Sequence, residues 1–238
     1  MKAAPFFKGL SWLIALNLIT KPVWIFFIDR QVQNIVGYEA YGKYFAVLNL
    51  SYVLLFLADA GLSNMMNQRA AKNLPVNFRQ LFALKLTLLF IYFVACSFIA
   101  WLTDISAWKL LFYVIIIQSL NSLFIFLRST ITAHQFFQAD AWFSVLDKAL
   151  MTLLCGAIIY TSLFGTIHLV LFLQIQAICT AFATVVAFVF LIRKKLIPVM
   201  EKIELEKIVP MIIPFAILIL LMSMHYRLDG LLLERIHI

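Results

Sequence analysis

The residues able to do chemistry in this chain are few, and most stand where charge is costly. Lys21 sits inside the apolar run "GLSWLIALNLITKPVWIFFI", with Asn17 four residues earlier and Pro22 directly after it. A spacing of four puts Asn17 and Lys21 on one helical face, which predicts a polar stripe. An ammonium left at mid-depth in a bilayer costs about 2.5–3.5 kcal/mol on insertion scales, so it needs water or a carboxylate beside it. Such a cation suits the holding of an anion better than the breaking of a bond. Pro22 can kink the helix there and free a backbone carbonyl.

Further charges mark the ends of apolar runs. Asp29–Arg30 and Arg227–Asp229 occupy comparable places, each joining an acid to an arginine. If their helices face one another, these residues border one cavity mouth. Asp59, in "LADAGL", is expected to pair with Lys85 or Arg69, or else to take a coupling cation; pairing is favoured. Lys85 is placed within snorkelling reach of the headgroups. Gln118, Ser119, Asn121 and Ser122 form a polar patch inside an apolar run, suited to lining water or packing against another polar helix. The candidate substrate or cavity residues are thus Lys21, Arg30, Arg227, Asn17 and Asn121. The candidates for Na⁺ or H⁺ coupling are Asp29, Asp59 and Asp229.

Catalytic signatures do not appear. The chain has no phosphate-cradling Gly-rich loop, no zinc helix motif and no favoured Ser/His/Asp set. His134, His168, His225 and His237 are scattered, and Cys96, Cys155 and Cys179 share no ligand spacing, so neither a metal nor a cofactor is expected. The predicted external loops are too short to scaffold an enzyme. The enzymatic alternative is a polyprenyl-dependent membrane glycosyltransferase with Asp29 and Glu39 as its acids.

The elements that must hold these residues follow from composition. Hydrophobic residues make up 64% of the 238 and charged residues 13%, against about half and a quarter in soluble domains. That excess requires lipid as solvent. Apolar runs long enough to cross ~30 Å of hydrocarbon recur near Ser11–Ile28, Tyr44–Leu62, Leu81–Leu102, Trp108–Leu127, Val145–Phe164, Ile167–Ile192 and Ile208–Tyr226. The fold class read from them is an all-α polytopic membrane protein with about seven transmembrane helices. Asp147 and Lys148 fall at the start of the fifth run. The first run lacks a small-x-small cleavage pattern and is read as a retained helix, not a signal peptide.

Basic residues give an orientation. With the N-terminus in the cytoplasm, Lys2, Lys8, Arg69, Lys72, Arg79, Arg128, Lys148, Arg193, Lys194, Lys195, Lys202 and Lys207 fall inside. Arg30, Lys43, Lys109, Arg227 and Arg235 fall outside. The bias follows the positive-inside rule. The net charge of +8 therefore records topology, with membrane lipids as the partner and no role for nucleic acid.

The stretch "FIDRQVQNIVGYEAYGKYFAVLNLSYVLLFLADAGL" resembles the first two helices of polysaccharide-exporter flippases, of the multidrug/oligosaccharidyl-lipid/polysaccharide transporter superfamily. The similarity rests on Gly37, Gly42 and Tyr44, on Asn49, on "DAGL" before "NQRAAKN", and on "RSTITAHQFFQADAWFSVLDK" and "RLDGLLL". The resemblance implies two six-helix lobes around a central cavity and alternating access. It implies movement of a polyprenyl-pyrophosphate-linked oligosaccharide across the inner (cytoplasmic) membrane, for O-antigen or another surface polysaccharide. On that basis residues 1–195 form the N-terminal lobe, 196–207 a cytoplasmic linker, and 208–238 the first helix of a second lobe. The chain is then expected to be the first half of a longer transporter, with the missing C-terminal lobe as its partner. Lys21 is the leading candidate for the pyrophosphate. The alternative within the same fold is a cation-coupled multidrug exporter.

Overall fold

The computed structural model describes residues 3–72, 77–161, 167–196, 210 and 212–222. Arg227 and Asp229 lie outside the described residues. The described chain is built from helices: α1 (Ala3–Val23), a π-helix (Trp24–Asp29), α2 (Arg30–Val36), α3 (Tyr38–Asp59), α4 (Leu62–Ala71), α5 (Phe78–Leu102), α6 (Trp108–Ala133), α7 (Phe137–Thr161) and α8 (Leu169–Arg193). A shorter apolar helix, α9, covers Ile212–Met222. Six helical stretches are long and apolar enough to cross a membrane: Gly9–Val36, Tyr38–Asp59, Phe78–Leu102, Trp108–Ala133, Phe137–Thr161 and Leu169–Arg193. Each leaves large apolar side chains exposed, such as Leu18, Phe26, Phe90, Phe112, Leu153 and Ile178. In water that surface would be unstable; in hydrocarbon it is solvated. The protein is an all-α polytopic membrane protein.

The helix ends follow local chemistry. The Asn77 side chain caps α5 by accepting from the Gln80 amide at 3.1 Å, which satisfies one of the orphan donors of a first turn. Helices α5, α6 and α8 share one way of stopping. A left-handed residue (Asp104, Gln135 or Lys195) follows the helix, and the next amide reaches back five residues: Ile105 to Ala100, Phe136 to Ile131, and Leu196 to Leu191. This is the Schellman arrangement, and in all three the closing residue is apolar.

Contacts divide the chain into two compact units. The first comprises residues 1–47 and 107–196, the second 48–106 and 197–238, so α3 gives its first part to one and its second part to the other. In the first unit, α1 lies along α7 with both chains running the same way. Gly9 abuts Phe137, the Asn17 amide donates to Ser144 Oγ at 2.7 Å, and the Tyr160 hydroxyl donates to the Phe27 carbonyl at 3.0 Å. Gly9 matters here because a Cβ would also stand 3.1 Å from the Phe137 carbonyl carbon, so only glycine lets the two helices come this close. Helices α6 and α8 also run parallel, with Tyr113 meeting Gln174 near their starts and Phe136 meeting Phe190 near their ends. Alternate spans pointing the same way is what a serpentine chain through a bilayer requires.

In the second unit, a glycine again sets a close approach. Gly61 has φ +85°, and a Cβ on it would fall on Phe215 of α9, whose carbonyl carbon lies 2.9 Å away.

Several span ends depart from the sequence reading, among them Tyr38 for Tyr44 and Ala133 for Leu127, and two further departures bear on the charges. The first span continues beyond Ile28 to Val36, because the π-helix carries the chain through Asp29 without a break. The fifth begins at Phe137, not Val145, because the acid in its first turn, Asp140, is neutralised by Arg128. That arginine donates from Nε to Asp140 Oδ1 at 2.7 Å and from Nη2 to Oδ2 at 3.1 Å.

Candidate functional site

The shift of α7 changes which charges lie deep. Lys148 is the twelfth of its twenty-five residues, about 16 Å from the start of the helix at 1.5 Å per residue. The sequence reading sets it, with Arg128, among the cytoplasmic basic residues; both lie within spans. Sequence reasoning thus passes over a mid-span lysine of the first unit.

Around Lys148 the first unit gathers polar and aromatic side chains of three elements. On its own helix, Asp147 Oδ2 stands 3.4 Å from the ammonium, and Met151 Sδ 3.8 Å away. From the π-helix comes Trp24, whose ring centre lies 5.5 Å below the ammonium. Cation–π attraction of this kind is worth about 0.5–2 kcal/mol, more as water is excluded. Trp24 itself is buried, stacked on Phe172 of α8 with ring centres 5.9 Å apart and planes within 6°. At the other end of the π-helix, Asp29 receives the Tyr41 hydroxyl of α3, 3.1 Å from Oδ1 and 3.2 Å from Oδ2. Asp29 and Lys148 also interact electrostatically. The cluster is therefore two acids and one lysine, held by a tyrosine and a tryptophan.

This arrangement has chemical consequences. Lys148 carries three N–H donors, yet among the described residues its polar contacts are one oxygen at 3.4 Å and one thioether sulfur at 3.8 Å. Sulfur is a weak acceptor, and 3.4 Å is long for a charge-assisted bond. The ammonium is thus held by field and packing while retaining capacity for another acceptor. With both acids ionised the trio carries one net negative charge.

No protein-family model, curated protein or solved structure matches this chain.

Of the residues singled out from sequence, Asp29 belongs to this cluster. Lys21 is exposed on the flank of α1 and makes no ion pair among the described residues. Asn17 does not accompany it; its amide turns to α7 and to the Leu13 carbonyl, 2.8 Å away. Arg30 is exposed, and Asn121 half-buried on α6 beside the buried Gln118 and Ser122. Glu39 pairs with Lys43 at 2.7 Å on an exposed turn.

Asp59 belongs to a second cluster, in the other unit. Its Oδ1 lies 2.5 Å from Lys85 Nζ and 2.7 Å from Ser63 Oγ, and its Oδ2 accepts the Ser63 amide at 3.3 Å. Lys85 is fully buried. It does not snorkel, because the carboxylate is nearer than the headgroups. Nearby, Ser51 and Tyr92 hydrogen-bond through their hydroxyls. Among the described residues no group of three His, Cys, Asp or Glu is placed to hold a metal ion.

The residues that sequence reasoning missed are Lys148, Asp147, Trp24 and Tyr41. A signal for the first two was present. The run from Phe137 to Leu146 is apolar apart from Gln138, Asp140 and Ser144, and pairing Asp140 with an arginine twelve residues earlier extends the span upstream.

Proposed function

We propose that this protein is a transporter that flips polyprenyl-pyrophosphate-linked oligosaccharide across the cytoplasmic membrane, N-terminus inside, for O-antigen or another surface polysaccharide. One observation carries the reading beyond the resemblance: an incompletely coordinated lysine at mid-depth of a membrane span, resting on a tryptophan face. A pyrophosphate crossing hydrocarbon loses its hydration, a cost of many kcal/mol unless cations and water replace it. Lys148 supplies a cation at the depth where that cost is highest, and Lys21 and Arg30 are further candidates along the first span. The lipid tail stays in the bilayer throughout. Asp29 and Asp147 are the candidates for the driving ion, H⁺ or Na⁺, and an ion bound there cancels the net negative charge that would otherwise repel the pyrophosphate from Lys148. The protein makes and breaks no covalent bond in this reading.

The rival of the same fold is a cation-coupled multidrug exporter. A pump for cationic drugs is served by intramembrane carboxylates alone, and a lysine among them repels its cargo. Lys148 therefore favours an anionic substrate.

Cells carrying Lys148→Ala, compared with wild type and with Lys148→Arg, test the proposal. The expected result is loss of surface polysaccharide with accumulation of its lipid-linked precursor, at normal protein level, and retention of activity in the arginine variant. Lys21→Ala in parallel measures whether the lysine of the first span shares the task. Normal polymer in Lys148→Ala, or sensitivity to cationic dyes in a deletion strain whose polymer is unchanged, overturns the reading.

A further inference from the structure

The first span does not cross as a plain α-helix. Pro22 has no N–H to donate, and two residues later the chain enters a π-helical stretch, Trp24–Asp29, in which the Arg30 amide donates to Ile25 O five residues back. A π-turn accommodates an extra residue by widening and is less stable than the α-turn it replaces; such turns persist where neighbouring groups hold them. Here the holding groups are specific. The Tyr160 hydroxyl binds the Phe27 carbonyl at 3.0 Å. The Tyr41 hydroxyl binds both oxygens of Asp29. Trp24 is clamped between the Phe172 ring and the Lys148 ammonium, and Ile28 is buried with its Cδ1 3.6 Å from the position a Gly156 Cβ would take.

We propose that this π-helix is a register switch in the first span, with Tyr41 and Tyr160 as its latches. The inference rests on backbone geometry and stands whatever the substrate is. Converting the stretch to α-helix advances every later residue by ~100° about the axis, one position of a 3.6-residue turn. Each residue then takes the direction its successor holds now. Asp29 leaves Tyr41 for the exposed direction of Arg30, and Ile28 comes to face the tyrosine in its place. Gln31 moves into the fully buried position of Val32, and Val32 moves out to the half-buried position of Gln33. The switch thus withdraws a carboxylate from Lys148 and substitutes an alkyl group, altering the charge of the cluster without moving α7. Discrete one-position shifts of this kind are how packed helices change state without continuous deformation.

The test uses the full chain with Cys96, Cys155 and Cys179 replaced by alanine and a single cysteine placed at Gln31 or at Val32. Labelling rates with a small membrane-impermeant maleimide are then read in four backgrounds: the parent, the double variant Tyr41→Phe with Tyr160→Phe, deletion of Phe26, and that deletion added to the double variant. The double tyrosine variant is expected to raise the rate at position 32 several-fold and to lower the rate at position 31. The deletion removes the extra residue, so an α-helix then holds both positions in the directions they have now and leaves them no second register; it is expected to keep both rates within twofold of the parent and, added to the double variant, to reverse the shift. Reciprocity separates a change of register from general loosening, which raises both rates. Rates within twofold of the parent in the double tyrosine variant overturn the assignment of the latches. Parallel rises at both positions, or a reciprocal shift that the added deletion does not reverse, overturn the switch itself.

Discussion

Lys85 Nζ lies 2.5 Å from Asp59 Oδ1, and the lysine is wholly buried while its carboxylate partner keeps 16% of its side-chain surface. The same carboxylate takes the Ser63 hydroxyl and amide, so one acid both neutralises a deep cation and holds the first turn of α4. Removing either partner leaves an uncompensated charge, which costs about 3–5 kcal/mol, whereas removing both together costs far less. Lys85→Met is therefore expected to lower the thermal midpoint of the detergent-solubilised protein strongly, and Lys85→Met with Asp59→Asn to recover most of the loss. Size-exclusion fluorescence after heating reads both. Equal losses in the single and double variants would sink the pairing.

Glycine positions make a sharper contrast. Gly61→Ala introduces a side chain where φ is +85° and where the α9 backbone already stands. The left-handed conformation alone costs a residue with a Cβ roughly 1–2 kcal/mol, and the contact adds to it. Gly42, in α3, has nothing within 4 Å of its would-be Cβ, and alanine there is expected to stabilise by about 0.5–1 kcal/mol. Comparing the two variants in the same melting assay checks the sign of each.

Arg128 binds Asp140 through two nitrogens at once, a geometry that lysine cannot reproduce. Arg128→Lys is expected to retain the charge yet lose about 1–2 kcal/mol, the order of one charge-assisted bond. The readout is the same melting curve, with Asp140→Asn as the companion. An unchanged midpoint in Arg128→Lys would show that charge alone holds the α6–α7 corner.

Trp24 supports Lys148 through its ring face. Trp24→Phe keeps an aromatic surface and is expected to preserve most surface polymer. Trp24→Leu removes the attraction, worth about 0.5–2 kcal/mol, and is expected to reduce polymer several-fold at normal protein level. Polymer gels from cells expressing each variant decide between them.

How much of this could be read beforehand depends on the range of the interaction concerned. The first six apolar runs became six spans, since apolar length is a local property of the chain. Pairing of Asp59 with Lys85 or Arg69 is expected from the sequence, because all three stand near the same predicted end of neighbouring spans; the structure pairs it with Lys85. Lys148 was misplaced because Asp140, Asp147 and Lys148 within nine residues read as a polar boundary; only a distant arginine shows that the first of these charges is cancelled. The π-helix has no comparable signature. Pro22 marks a weak point, but the hydroxyls that hold the widened turn come from Tyr41 and from Tyr160, the latter 133 residues from its acceptor Phe27. Asn17 was grouped with Lys21 by its spacing, and the face it uses was settled by Ser144.

The side-by-side packing of α1 and α7 also constrains how the protein is made. Gly9 finds its neighbour Phe137 only after more than a hundred further residues have left the ribosome, a delay of roughly 6–26 s at ordinary synthesis rates. Through that interval the Asn17 amide has the Leu13 carbonyl of its own helix but not yet Ser144. The close seam between the two segments therefore closes only once the fifth has itself entered the membrane.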